Sequence, residues 1–264
     1  MRKIEIKQLY IDTTKNERTL RISLPEDYLT SDKKYPVLYM HDGQNLFEDE
    51  MAYGGVSWGI NDTIIDLLKK DLINDLIVVG IDNSEKRMFE YTPWKSSSLV
   101  RKVASKDIGG LGDVYSEFVV FKVKPYIDKH YRTKPDYEHT MLAGSSLGAF
   151  ISTYIAVKYP KVFKHIGVFS LASWFNESAF LKFLDHHDID PSQRFFISIG
   201  SHESSDENTP NFNQIYLENS RNLLLLLKNK KVNDISYIET DDIHHESAWK
   251  KVFVNFICYV NKKS

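Results

Sequence analysis

The pentapeptide G-S-S-L-G at residues 144–148 constrains the fold more than any other feature of this chain. It matches G-x-S-x-G, in which a sharp turn between a strand and a helix holds a nucleophilic serine clear of its backbone. The flanks fit that turn, because the apolar run 139–143 is typical of a buried strand and residues 149–159 are typical of a helix. Glycine at both ends agrees with a turn that leaves no room for side chains. Ser145 lacks the flanking glycines of the pattern, so Ser146 is the predicted nucleophile.

The composition excludes several classes of protein. With 264 residues, 42% of them hydrophobic and 27% charged, the chain has an ordinary globular composition and enough material for a large core. A formal net charge of -2 gives no reason to expect a nucleic acid or an anionic membrane as partner. Cys258, the single cysteine, is predicted to be a core thiol and cannot form an intrachain disulfide. No segment has the apolar core of a signal peptide or the length of a membrane span, so we expect a cytoplasmic protein.

Strand and helix patterns alternate along the chain. Residues 3–11 and 18–24 alternate apolar and polar side chains, which predicts an N-terminal antiparallel hairpin. Short apolar runs predict six further strands, at residues 36–40, 76–81, 139–143, 166–170, 195–199 and 234–239. Helical spacing of apolar residues predicts helices at 59–70, 112–130 with a kink at Pro125, 149–159, 213–229 and 247–261. This order predicts an α/β fold: a mostly parallel sheet covered by helices on both faces, in one domain over residues 1–264.

A nucleophilic serine needs a base to take its proton and an acid to orient the base. Parallel α/β sheets carry their sites in loops at the carboxyl ends of strands, so both partners are sought just after later strands. His244 and His245 follow the last predicted strand, whereas His165 precedes a strand and residues 186–188 are assigned to a polar loop. From His245 the sequence H-E-S-A-W matches the metal-binding pattern H-E-x-x-H only in part. Trp249 stands in place of the second ligand, so no metal site is predicted.

The acid and the oxyanion donors are sought by the same positional argument. Glu203 is the first carboxylate after the 195–199 strand, and the alternatives are Asp206, Glu207, Asp241 and Asp242. The developing oxyanion needs backbone N–H donors from the residue after the nucleophile and from a loop after an early strand. Leu147 supplies the first donor, and Gly43 or Gln44 is expected to supply the second.

Several segments together resemble a known family. They are residues 35–47 (Y-P-V-L-Y-M-H-D-G-Q-N-L-F), 87–94, 109–112, 125–132, 143–148 and 169–174. They are similar to segments of the esterase family of the α/β-hydrolase superfamily that includes feruloyl and acetyl-xylan esterases and siderophore-lactone esterases. The resemblance covers nearly all of the chain after residue 20. It implies an α/β-hydrolase fold.

The resemblance also bears on the choice of acid and base. The family's G-x-x-[DE] motif falls on residues 200–203, which favours Glu203 as the acid. Its histidine motif, close to H-x-E-x-x-W, favours His244 over His245, because Trp249 stands five residues after His244. The chain departs from the family pattern before that histidine, where D-I replaces the usual G-G or G-E, and at Ala149, where many members have glycine. Some siderophore-lactone members work with a serine–histidine pair, which would make Glu203 dispensable.

The family implies a serine carboxylic-ester hydrolase that acts on short-chain acyl esters without a cofactor and without a large cap domain. The expected partner is a small-molecule ester, and the sequence does not fix the oligomeric state. Alternatives are a siderophore or lactone esterase, a sugar-ester deacetylase and, from another class, a non-catalytic binding protein on a hydrolase scaffold. Arg87 is predicted either to meet the substrate or to pair with Glu90. The aromatic candidates for lining the substrate pocket are Phe47, Trp58, Tyr91, Trp94, Trp174 and Trp249.

Overall fold

A computed structural model describes residues 2–11, 15–97, 100, 108–203 and 211–263. These residues form a sheet of eight strands. The strands are β1 (Lys3–Ile11), β2 (Asn16–Leu24), β3 (Val37–His41), β4 (Ile77–Ile81), β5 (Thr140–Ser145), β6 (His165–Phe169), β7 (Arg194–His202) and β8 (Asp234–Ile243). Their order across the sheet is β1-β2-β4-β3-β5-β6-β7-β8. The β1–β2 and β2–β4 pairs are antiparallel and all other neighbours are parallel, which confirms the predicted hairpin and mostly parallel sheet.

Helices cover both faces of the sheet, as predicted. They are α1 (Ile60–Lys69), α2 (Arg87–Glu90), α3 (Gly112–Phe118), α4 (Lys124–His130), α5 (Leu147–Lys158), α6 (Glu177–His186), α7 (Phe212–Asn229) and α8 (Glu246–Asn261). Buried side chains of α3, α5, α6 and α7 form one apolar cluster, and those of α1 and α8 form a second cluster on the opposite face. Cys258 packs partly buried beside the second cluster. None of the helices described is long and apolar enough to span a membrane.

The helix predicted over residues 112–130 contains one irregular turn. Between α3 and α4 the segment Val119–Val123 is a π-helix, and Lys124 N–H donates to the carbonyl of Val119, five residues earlier. The wider turn lies directly before Pro125, which has no N–H to donate to an α-helical ladder. In place of the kink predicted at Pro125, the structure has a widened turn directly before it, within a continuous helical segment.

The segment around residue 186 and the end of β8 differ from the sequence prediction. His186 was assigned to a polar loop, but it is the last residue of α6, a helix that was not predicted. The loop therefore begins at residue 187. Asn176 caps α6, accepting from Ala179 N–H at 3.2 Å, so a capping signal was present. β8 continues to Ile243, beyond the predicted end at residue 239, because the polar residues after 239 stay paired with β7 across a β-bulge.

Candidate active site

Four polar side chains follow directly after four strands of the parallel part of the sheet. Asp42 follows β3, Ser146 follows β5, Glu203 follows β7 and His244 follows β8. Carboxyl ends of parallel strands meet at one edge of the sheet, where α/β proteins form their sites. The strands are spread over the chain, but the sheet order brings their ends to this edge. The positional argument used on the sequence therefore identifies the same edge as the structure.

The backbone at Ser146 has the conformation that the G-x-S-x-G pattern predicts. Its φ and ψ angles are 58° and -124°, which is strained for a residue other than glycine. Its N–H donates to the carbonyl of Phe169 at 2.9 Å, which ties the turn to the end of β6. A β-carbon at Gly144 would lie 2.6 Å from the carbonyl carbon of Gly148, so glycine is needed there. A β-carbon at Gly148 would make ordinary contacts, the nearest at 3.4 Å, so the space argument holds for Gly144 alone.

Glu203 and His244 form a close pair behind the serine turn. With Nδ1 of His244 protonated, it donates to Glu203 Oε2 at 2.5 Å. The Glu203 side chain is 0% exposed and that of His244 is 25% exposed. The second carboxylate oxygen, Oε1, accepts from Gly200 N–H at 2.6 Å and from Ser170 Oγ at 2.7 Å. These bonds fix the carboxylate, and the carboxylate fixes the tautomer that leaves His244 Nε2 free to accept a proton.

The close approach of β8 requires a glycine at position 200, the first residue of the G-x-x-E segment. A β-carbon at this position would lie 2.3 Å from the carbonyl oxygen of Asp242, which belongs to β8. The missing side chain therefore allows β8 to approach β7 closely where the two strands deliver His244 and Glu203. Asp242 itself pairs with Lys251 at 2.7 Å and does not contact the imidazole as an alternative acid. Asp206 and Glu207 lie outside the described residues.

Trp249 packs against the imidazole from the first turns of α8. Its ring centroid lies 5.0 Å from that of His244, in an edge-to-face arrangement. Its Nε1–H donates to Ser170 Oγ at 2.8 Å, and Ser170 in turn donates to Glu203. Trp249 therefore contacts His244 directly and Glu203 through Ser170.

Ser146 and His244 line one cavity of about 400 Å³. Its walls come from the loops after β3, β4, β5 and β8. The lining residues are Asp42, Gln44, Asn45, Tyr53, Gly54, Asn83, Arg87, Ser145, Ser146, His244, His245, Glu246 and Trp249. Most of these side chains are polar or charged. A nucleophile and a base that share one cavity are positioned to act on the same bound molecule.

The predicted oxyanion donors differ in how they face this cavity. Gln44 lines it, whereas Gly43 is buried against β4, where a β-carbon would lie 2.6 Å from the carbonyl carbon of Gly80. The left-handed residue of the loop is Asp42, with φ 56°, and not Gly43. Gly43 is thus required by close packing and not by a turn of its own backbone. Leu147 begins α5 directly after the serine, where helix N–H groups are unpaired.

Arg87 lines the cavity and pairs with Asp42, whereas the sequence suggested Glu90 as its partner. Its Nε and Nη2 donate to the two oxygens of Asp42, both at 2.7 Å. Glu90 instead accepts two bonds of 2.8 Å from Arg18, so the alternative pairing of Arg87 with Glu90 is wrong. Asp42 also accepts from Asn83 Nδ2 at 2.6 Å. Arg87, Asp42 and Asn83 therefore form one hydrogen-bonded polar group in the cavity lining.

Of the six aromatic candidates, Trp249 alone is among the described residues that line this cavity. Phe47 and Trp58 belong to the apolar cluster under α1 and α8. Tyr91 is fully buried, and its hydroxyl accepts from Asp42 N–H at 3.2 Å. Trp94 packs on the rings of α5 and α6, and Trp174 packs on those of α7. Five of the six candidates therefore pack in or against the apolar clusters, which composition and loop position do not distinguish from pocket lining.

Three other histidines, His41, His165 and His245, do not pair with Glu203. Burial lowers the pKa of His41 to about 3, and its Nδ1 is hydrogen-bonded to the hydroxyl of Tyr115 at 2.8 Å. Burial also lowers the pKa of His165, to about 4. His245 lies at the N-terminus of α8, where its Nδ1 accepts from Ser247 N–H at 3.2 Å. Among the residues described, no three His, Cys, Asp or Glu side chains are grouped to hold a metal ion.

Tyr216 of α7 is a site residue that the sequence pattern did not indicate. Its ring centroid lies 5.1 Å from that of His244. Burial raises the pKa of Tyr216, and the Ser146 side chain beside the phenol opposes that rise. Only its helical register with the buried Asn219, Ser220 and Leu223 could have suggested that it faces inward.

We expect Tyr216→Phe to lower kcat for a p-nitrophenyl ester by about threefold to tenfold, because the phenol hydroxyl helps to hold the Ser146 hydroxyl. Steady-state kinetics across pH would check this, with the melting temperature measured beside it. Tyr237→Phe, which removes an exposed hydroxyl bonded to Glu239, is the matched control and should leave kcat unchanged. Equal kinetics in both variants would contradict a role for Tyr216 at the serine.

A strained serine turn at the end of a central strand, with a carboxylate–histidine pair after later strands, defines a hydrolase of the α/β-hydrolase fold. The family model described as "Putative esterase" matches residues 11–257. The chain therefore belongs to this esterase family and is a carboxylic ester hydrolase.

Individual relatives are distant in sequence but similar over the whole chain. "Uncharacterized protein YbbA" of Bacillus subtilis (strain 168) is 26% identical over 251 residues, which cover 94% of each chain. A solved structure of a ferulic acid esterase superposes with a TM-score of 0.75 at 18% identity, covering 99% of this chain and 98% of that one. The enterobactin esterase FES of Shigella flexneri superposes with a TM-score of 0.75 at 15% identity, covering 98% of this chain and 58% of that one. The resemblance to the family that includes feruloyl and siderophore esterases is confirmed.

Proposed function

We propose that the chain is a serine esterase that hydrolyses short-chain acyl esters through Ser146, His244 and Glu203. The observation that carries the proposal is the 2.5 Å bond between His244 Nδ1 and Glu203. Because this bond occupies Nδ1, Nε2 of the imidazole remains free to accept a proton. The shared cavity supports it, since Ser146 and His244 line the same space. We further propose one domain without a large cap, because only seven residues separate β6 from α6.

The proposed reaction proceeds in two steps. His244 Nε2 takes the Ser146 proton as Oγ attacks the ester carbonyl carbon, and Glu203 stabilises the imidazolium that forms. The carbonyl electrons move onto oxygen, which the N–H groups of Leu147 and Gln44 stabilise. The tetrahedral intermediate collapses, the bond to the alcohol oxygen breaks, and the alcohol leaves with the proton from His244. A water molecule then attacks the acyl-enzyme with His244 as base, which releases the acid and restores the serine.

The cavity supports a small substrate. A volume of about 400 Å³ lies near the lower end of the range of ligand pockets, and part of it must hold the alcohol side of the ester. Arg87, Asp42 and Asn83 line one wall, so a long apolar acyl chain would have to desolvate charged groups. We therefore propose acyl groups of a few carbons.

Hydrolysis of p-nitrophenyl esters from acetate to decanoate tests this proposal. We expect kcat/KM to be highest at acetate or butyrate and to fall by about tenfold or more at decanoate. Highest activity at long chains would contradict the acyl-length proposal but not the esterase mechanism. Absence of turnover on every ester, together with failure of a fluorophosphonate probe to label Ser146, would contradict the mechanism.

A further inference from the structure

Charge around the proposed active-site cavity is not fully compensated. Asp42 and Arg87 form a closed pair with two bonds of 2.7 Å. Glu246, in the first turn of α8, lines the same cavity and is 7% exposed. Within the described part of the chain, no lysine or arginine forms an ion pair with Glu246. Among the carboxylate and guanidinium groups of the lining, Asp42 and Glu246 are therefore opposed by Arg87 alone, which leaves one negative charge uncompensated.

The Glu246 carboxylate is held in place by an amide. Asn45 Nδ2 donates to Glu246 Oε1 at 3.2 Å, while Asn45 Oδ1 accepts from Tyr53 N–H at 3.0 Å. The amide of Asn45 and the backbone of Glu246 itself are neutral donors, and neither brings a positive charge to a buried carboxylate, which is costly to desolvate. Burial accordingly raises the pKa of Glu246. The carboxylate would therefore gain from a positive charge placed beside it in the cavity.

An exposed aromatic ring stands at the same cavity. Tyr53 is 83% exposed and lies among the lining residues together with Glu246. Its backbone is fixed by Asn45, the residue that also holds the carboxylate. Aromatic rings beside a carboxylate are the combination that binds organic cations, because the ring face attracts positive charge and the carboxylate neutralises it. The ring and the uncompensated carboxylate are independent observations that point to the same ligand chemistry.

We propose that Glu246 selects the substrate by charge: it favours esters that carry a positive charge near the scissile bond and disfavours esters that carry a carboxylate there. The proposal rests on the proposed esterase function of the same cavity and specifies its substrate class. Glu246 acts as a specificity-determining residue and takes no part in bond breaking. Arg87 does not reverse the preference, because its guanidinium is engaged by Asp42.

Three acetate esters of similar size test the proposal. Acetylcholine is the cationic probe, 3,3-dimethylbutyl acetate is its neutral isostere, and acetoxyacetate carries the negative charge. Hydrolysis is followed by pH-stat titration at low ionic strength, where charge effects are least screened. We expect wild-type kcat/KM to be about tenfold higher for the cation than for the isostere, and about tenfold lower for the anion.

Glu246→Gln keeps the shape of the side chain and removes its charge. In this variant, kcat/KM for the cationic ester and for the anionic ester is expected to lie within about threefold of kcat/KM for the neutral isostere. Glu246→Asp is expected to restore the two differences in part. Glu85→Gln is the matched control, since it removes an exposed carboxylate that does not line the cavity, and it should preserve both ratios. A melting curve for each variant separates loss of fold from loss of selectivity.

The outcomes separate this proposal from the proposed function. Equal kcat/KM for all three esters in the wild type, or unchanged ratios in Glu246→Gln, would overturn the role of Glu246 while leaving the esterase function intact. Lack of Ser146-dependent turnover of the neutral isostere and of p-nitrophenyl acetate would instead contradict the function itself.

Discussion

Ser146→Ala is expected to lower kcat on p-nitrophenyl acetate by about 10⁴-fold to 10⁶-fold, the range seen when a serine nucleophile is removed. The physical reason is the loss of the oxygen that forms the acyl-enzyme, while the backbone donors and the cavity remain. The measurement is steady-state hydrolysis, together with labelling of the intact protein by a fluorophosphonate and mass analysis. The folded state should persist, because the strained turn is tied to β6 through the backbone of residue 146.

Ser145→Ala is the matched control for the nucleophile. Ser145 is the neighbouring serine and lines the same cavity, but it lies within β5 and lacks the strained turn. Its variant should retain turnover within about tenfold of wild type and should still be labelled at Ser146. Labelling at residue 145, or near wild-type turnover in Ser146→Ala, would show that the nucleophile is wrongly assigned.

Glu203→Gln is expected to lower kcat by about 10²-fold to 10⁴-fold, with KM changed much less. The amide has the same size but carries no charge, so it cannot stabilise the imidazolium. It can also turn its NH₂ group toward Nδ1 and thereby favour the wrong tautomer of His244. Steady-state kinetics on p-nitrophenyl acetate, with a melting curve beside them, measure the effect.

The control for this variant is Glu239→Gln, which removes a carboxylate paired with Arg221 at the surface. It should leave kcat unchanged, since Glu239 is outside the cavity. Wild-type kcat in Glu203→Gln would mean that Ser146 and His244 suffice as a pair, which is the alternative raised by some siderophore-lactone relatives. The buried carboxylate would then serve only to hold β7, Ser170 and the histidine loop together.

The fold was largely predictable because parallel strands buried on both faces are nearly continuous apolar runs. The five residues of β3, for example, are all buried. Prediction was less complete where burial is partial. β8 has intermediate and exposed positions along its whole length, so its polar end at residues 240–243 carried no apolar signal. The helix α6 was missed although Phe180 and Leu184 recur at helical spacing after a capping asparagine.

The proposed catalytic residues were predictable for a different reason. Ser146, Glu203 and His244 each come directly after a strand, so strand prediction placed them at one edge, and the family motifs favoured Glu203 and His244 over their neighbours. The residues around them were not predictable in this way. The pairing of Arg87 with Asp42, and the contact of Tyr216 with His244, depend on how loops and helices pack across the sheet. No local pattern encodes such contacts, so aromatic loop residues such as Tyr91 were assigned to the pocket although they are core.

The position of β8 at one end of the strand order has a consequence for inactivation and refolding. His244 is attached to the outermost strand, which pairs with β7 alone, whereas Ser146 follows β5 in the middle of the sheet. Peripheral strands open at lower free energy than central ones, so we expect separation of β8 from β7 to remove the proposed base while the serine turn stays formed. Enzymatic turnover therefore reports the attachment of one peripheral strand, and it should be the last property to return during refolding.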